Sequence, residues 1–186
     1  MIVSSAGGVP VELDRTNKDT HGATFSPDGA WIAYTRLASG GSRITKVPSA
    51  GGQPIDVANG GNSPGFPISW SPAGDWIAFS PQHGQKLCLV SPDGKSERTL
   101  LNNGYWDWAF DRTGARIYGV RRGEGRKWEF WSIEVSTGIE HKIVTLDVPP
   151  EQNLYHLSLH PDGKRFLASV EITSSDIWII DGATVQ

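Results

Sequence analysis

The chain has 186 residues, 20 acidic and 17 basic side chains for a formal net charge of -3, 38% apolar residues, and many turn formers, Gly 22 and Pro 12. That length holds one domain with a real core or two small ones, and the balance describes a turn-rich globular chain rather than a disordered one. The densest basic cluster is Arg121, Arg122, Arg126 and Lys127 with Glu124 in its midst. It falls short of the concentrated basic face that counterion release needs, so no nucleic-acid partner is expected.

No window approaches the roughly 18 consecutive apolar residues of a spanning helix, and no membrane partner is expected. The opening MIVSSAGGVP has neither a basic n-region nor an apolar h-region, so it does not read as a signal peptide. Cys88 is the single cysteine and leaves the redox compartment open. The chain is cytoplasmic, or periplasmic if an export signal has been removed.

In chain order, residues 1–13 read as two short strands about a turn at Gly7. Residues 19–58 then carry a full set: an inner strand ending at Phe25, the turn Ser26-Pro27-Asp28-Gly29, a second strand over 31–35, a third strand before Gly51, and a short outer strand. Residues 64–100 repeat it, with Trp70 at the end of the inner strand, a second strand over 76–80 and the later turn at Gly94. In 104–144 the inner strand ends at Phe110, the second covers 116–120 and the later turn has Gly138. Residues 153–186 hold an incomplete set with Leu159, a second strand over 165–170 and Gly182.

The glycines Gly7, Gly51, Gly94, Gly138 and Gly182 are spaced by 44, 43, 44 and 44 residues. The runs between them are too short and too rich in Ile, Val, Trp and Tyr for helix pairs. Four short strands in such a period match one propeller blade, so the expected fold is all-β: a β-propeller of four-stranded antiparallel blades, about four of them present. Small residues, Thr24, Ser69, Ala109 and Ser158, stand one place before each inner strand's end, as crowding near a propeller axis requires. Three arrangements satisfy the blade count: part of a longer propeller, a self-sealed four-bladed ring, or a homo-oligomer completing the ring.

The phrases FSPDGAWIAY (25–34) and WSPAGDWIAF (70–79), each followed by a strand and a turn such as VPSAGGQP, resemble the TolB-type propeller repeat. The resemblance covers essentially the whole chain. It implies a bacterial repeat protein of a kind found in TolB, in the propellers of prolyl-oligopeptidase-like peptidases, and as sensor modules on kinases and winged-helix regulators. The matching residues are turn formers and core apolars, so the resemblance speaks for fold more than for function.

Motifs of catalysis fail on context. Gly61 to Gly65 spells G-x-S-x-G around Ser63, but Pro64 follows where a nucleophile elbow needs a helix. Gly94-Lys95-Ser96 resembles the end of a phosphate loop, yet Leu89 stands where its first glycine belongs. His156 and His160 on a strand would be about 13 Å apart, too far to share a metal, so no metal and no cofactor are expected. Asp28, Asp93 and Asp162 precede turn glycines and are expected to satisfy their own turns.

One column differs. Four residues before the inner strand's end stand His21, Phe66, Trp106 and Tyr155, followed by Gly22, Pro67, Asp107 and His156. There the chain enters the inner strands, near the mouth of a propeller's channel. The candidate binding residues are therefore His21, Phe66, Trp106, Asp107, Tyr155 and His156, forming either a concave recognition surface or inter-blade packing. The expected function is a non-catalytic binding module or scaffold that recognises a protein segment or a small ligand. The resemblance leaves two alternatives: the propeller of a hydrolase whose catalytic domain lies outside this chain, or a bacterial sensor module.

Overall fold

The computed structural model describes residues 1–3, 5–14, 19–61, 67–82, 85–149, 152–160, 162 and 165–171, and the backbone of 176–180. They fall into two compact units, 1–83 with 88–99 and 84–87 with 100–186. Among the described residues, apart from one short 3-10 turn at Glu124–Arg126, the regular structure is β.

The first unit contains the sheet β1 (Thr20–Phe25), β2 (Trp31–Ala38), β3 (Gly41–Pro48) and β4 (Ile55–Gly61). It also holds most of a second sheet: β5 (Ser69–Trp70), β6 (Ile77–Phe79), β7 (Leu87–Val90) and β8 (Glu97–Leu101). In the second unit β9 (Asp107–Phe110), β10 (Arg116–Arg122), β11 (Trp128–Glu134) and β12 (Glu140–Thr145) form a third sheet. The fourth has three strands among the described residues, β13 (Asn153–Leu159), β14 (Phe166–Glu171) and β15 (Asp176–Ile180). Neighbouring strands within every sheet are also neighbours in sequence.

The sheets are buried by stacking. In the first unit Ala33, Ile44 and Val57 of the first sheet meet Trp70, Ile77, Phe79, Cys88 and Val90 of the second. In the second unit Tyr118, Val120, Trp128 and Phe130 meet Leu154, Phe166, Ala168 and Val170. The Phe130 and Phe166 rings stack at 4.0 Å between centroids. Each Val, Leu, Ile or Phe side chain among them contributes about 1.5–3 kcal/mol on leaving water.

What turns one strand into the next is a self-contained mesh. Gly29 N–H donates to the Ser26 carbonyl at 2.9 Å, and the Ser26 hydroxyl accepts Trp31 N–H at 2.9 Å while donating to the Asp28 carboxylate at 2.5 Å. That carboxylate accepts Ala30 N–H at 3.0 Å. Ser91 and Asp93 reproduce the mesh, but between the third and fourth strands of their sheet. The Ser26 and Ser91 hydroxyls, followed by the backbone donors, hold the Asp28 and Asp93 carboxyls below the usual carboxylate range. The third sheet swaps the chemistry: Asp111 accepts Arg116 N–H at 3.1 Å, and Thr113 accepts Ala115 N–H at 3.1 Å while donating to Asp111 at 2.7 Å. The glycine closes each turn at positive φ, 69° at Gly29, 73° at Gly94 and 77° at Gly114.

Gly61 ends β4 with φ 81°, and a Cβ there would fall on the Pro81 carbonyl oxygen. The change Gly61→Ala is therefore expected to cost about 1–3 kcal/mol, read as a lower urea midpoint with an unchanged slope.

Candidate functional site

The five described candidate residues are distributed between the units. His21 lies in the first, where β1 has a bulge between His21 and Ala23 with Gly22 at φ 54°. It lines a cavity of about 500 Å³ whose walls are β1, the apolar side chains Ile32 and Val47, and residues of the N-terminal segment including Ile2 and Leu13. At its edge the Tyr34 hydroxyl donates to the Asp14 carboxylate at 2.5 Å. Burial, and then that hydrogen bond, push the Tyr34 phenol well above its ordinary pKa, so it stays a donor. Phe66 and the Ser63 motif lie outside the described residues.

Trp106, Asp107, Tyr155 and His156 come together in the second unit. The half-buried Trp106 ring meets Trp128 edge-on and Tyr155 at a tilt, both at 6.1 Å, and Tyr155 lies 6.3 Å from the His156 imidazole. Trp106 thus packs against the buried cluster of the third and fourth sheets. His156 is exposed and has φ 57°, at a bulge in β13 between Tyr155 and Ser158. This bulge removes the simple alternation that would have set His156 and His160 on one face. His160 instead pairs with Asp162, its Nδ1 2.9 Å from Oδ1.

Asp107 is buried and holds the bulge. One carboxylate oxygen accepts Trp108 N–H at 2.7 Å, and the other accepts Leu157 N–H from β13 at 2.9 Å. Burial raises the Asp107 pKa; the hydrogen bonds from Leu157, Trp108 and His156 oppose that rise without cancelling it. The carboxylate joins the two sheets by their backbones.

Sequence reasoning noted the basic cluster of this unit but not the partners of its arginines. Arg121 and Arg122 are adjacent on β10 and so face opposite ways. Arg121 lies 3.9 Å from the centre of Trp131 and pairs with Glu140 at 2.6 Å. Arg122 stacks 4.1 Å over Trp128 and donates to the Gln152 carbonyl at 2.6 Å, a carbonyl that also accepts the Trp128 indole N–H at 2.7 Å. The available signal was the alternation of the strand, which assigns consecutive arginines to different neighbours.

Asn in place of Asp107 retains one acceptor and turns an amide N–H₂ toward a backbone N–H. Asp107→Asn is expected to cost about 1–3 kcal/mol at neutral pH. A carboxyl with a raised folded pKa binds its proton more readily when folded, so stability falls as pH rises from the ordinary 3.8 through the folded value. Chemical denaturation between pH 3 and 7 should show that slope in the wild type and its loss in the variant. Trp106→Ala is expected to cost roughly 2–3 kcal/mol, toward the low end for buried aromatics because the ring is half-buried.

No family model and no curated protein matches the chain. Among solved structures it is similar to TolB from Acinetobacter baumannii, with 19% identity and a TM-score of 0.58 over 80% of this chain and 39% of that one. It is similar to a protein described as TolB from Agrobacterium tumefaciens, with 22% identity and a TM-score of 0.62 over 76% of this chain and 55% of that one. The β-propeller domain of Cps50 (Swd1) from Myceliophteria thermophila gives 16% identity and a TM-score of 0.63 over 92% of this chain and 54% of that one. The chain thus spans 39% to 55% of the length of these structures. With its consecutive antiparallel sheets, this likeness makes the fold that of a β-propeller.

Proposed function

We propose that this chain is a non-catalytic binding module built from TolB-type repeats, and that Tyr155 and His156, with Trp106 behind them, contact a protein segment. The repeat assignment is supported by the Ser-Pro-Asp-Gly turns at 26–29 and 91–94 and by the two TolB structures among the similar folds.

One observation carries the binding reading. Gly22 and His156 hold the same place in the repeat, and both have left-handed backbone, at φ 54° and 57°. Glycine takes that conformation freely, whereas a side chain there costs on the order of 1 kcal/mol. In the fourth sheet the place is nevertheless filled by an exposed imidazole beside a half-buried tyrosine, on a bulge whose next backbone N–H, that of Leu157, is held by the buried Asp107. Strain kept at an exposed imidazole beside a half-buried tyrosine favours recognition over packing. Flat rings joined to polar tips suit the backbone and side chains of an extended peptide.

The test is a peptide array probed with the wild type, His156→Gly and Tyr155→Ala. His156→Gly is expected to melt at or above the wild-type temperature, because glycine relieves the backbone, and yet to lose at least tenfold in affinity for the peptides the wild type retains. Equal affinity of all three proteins, or saturable binding of none, overturns the proposal.

A further inference from the structure

We propose that the protein segment recognised at Tyr155 and His156 is acidic, and that its carboxylates are met by Arg126 and Lys127 on the loop between β10 and β11. This rests on the binding reading above and names the chemistry of the partner. Among the described residues, two that are not glycine have left-handed backbone, Arg126 at φ 60° and His156 at φ 57°. Both are exposed, and both belong to the second unit. Gly125, just before Arg126, has the same conformation at φ 63°. The loop would therefore accept a second glycine at 126 without strain, yet it carries an arginine there. The unit keeps its two strained side-chain positions for groups that present nitrogen to solvent.

Strand pairing and one guanidinium bring these two positions to the same end of the unit. Val120 lies opposite Asp107, so the β10–β11 loop leaves the third sheet at the end where β9 begins. There the Asp107 carboxylate accepts the N–H of Leu157, the residue after His156. Arg122 makes the second connection. Stacked on Trp128, it donates through one nitrogen to the Arg126 carbonyl at 2.7 Å. Its other nitrogen donates to the Gln152 carbonyl at 2.6 Å and to Asn153 Oδ1 at 3.2 Å. The planar fork of arginine thus fixes the loop beside the start of β13. From Asn153 to His156 is about 10 Å, the rise of three extended residues. A short extended segment laid along this stretch meets the rings at one end and the loop at the other.

The charge of the loop selects the partner. Arg121 and Arg122 have partners within the protein, whereas the exposed side chains of Arg126 and Lys127 make no hydrogen bond or ion pair among the described residues. The loop sets these two cations against one carboxylate, Glu124. Glu171, which lies opposite Asn153, accepts from the Asn153 amide at 3.2 Å. Cations on a rim beside aromatic rings attract a segment of opposite charge and fix its register. Two of them do not make the continuous basic face that a nucleic acid requires.

The test is a library of ten-residue peptides presented to the full chain as wild type, Arg126→Asn, Lys127→Gln and Tyr155→Ala. Asparagine keeps the left-handed backbone at little cost, so Arg126→Asn is expected to melt at the wild-type temperature. The peptides retained by the wild type are expected to be rich in Asp and Glu. Their affinity should fall at least tenfold in Arg126→Asn, severalfold in Lys127→Gln, and severalfold for the wild type on raising sodium chloride from about 50 to 500 mM. Replacing the acids of a retained peptide by their amides should weaken its binding to the wild type by the same factor and leave its binding to Arg126→Asn almost unchanged. Retained peptides without an acidic excess, or equal affinity of the wild type and Arg126→Asn, overturn this inference; the binding reading survives if Tyr155→Ala still loses those peptides. No saturable binding of any peptide overturns both. Tighter binding of a ten-residue oligothymidylate than of any peptide overturns the acidic protein segment in favour of a nucleic acid.

Discussion

An apolar face of a β-sheet must meet another apolar face, and the sheets of this chain carry apolar residues on both sides. Every residue of β6 and of β7 is buried, so neither face of these strands is left to water. Their sequences, IAF and LCLV, accordingly read as unbroken apolar runs and not as alternations. Where β14 has cover on one side, burial alternates residue by residue. The fixed repeat length is the covalent expression of this constraint, because each sheet must offer its neighbour the same surface at the same height.

The same constraint accounts for the abundance of tryptophan. Among the described residues four tryptophans carry a cation from another strand of the same sheet on their rings: Lys46 over Trp31, Arg98 over Trp76, Arg122 over Trp128 and Arg121 over Trp131. A flat ring covers the aliphatic stem and the charged head of a long side chain together, which lets charged residues lie along sheets at modest desolvation cost. The basic cluster at 121–127 in the sequence is thus divided among separate partners.

The repeat was legible because what defines it is local. A turn glycine at positive φ and a short polar side chain three places before it are requirements of a few consecutive residues, so the strands between them could be counted without knowledge of the whole. Even the exchange of Ser and Asp for Asp and Thr in the third repeat kept the spacing readable. The site was less legible because its contacts are distant. Counting set Asp107 in one column with Gly22, Pro67 and His156, but its work depends on the N–H of Leu157, fifty residues later. The left-handed backbone at His156 leaves no mark in the neighbouring letters and is suggested only by the glycine at the equivalent place, Gly22. Strand ends also moved: β2 runs on to Ala38 and β10 to Arg122, since pairing with a long third strand extends the ladder beyond the apolar stretch.

The turn mesh has a kinetic consequence. Its donors and acceptors lie within six consecutive residues, from Ser26 to Trp31 or from Ser91 to Ser96, so it can assemble before any sheet has found its neighbour. Hairpins of this kind form in about 1–10 μs, whereas docking sheets must first close loops of several tens of residues. The chain therefore enters folding with its hairpins already in register, and the slow search is left to whole sheets. The nascent chain gains in the same way: each 44-residue stretch that emerges carries its own starting points and awaits only the next surface to close on.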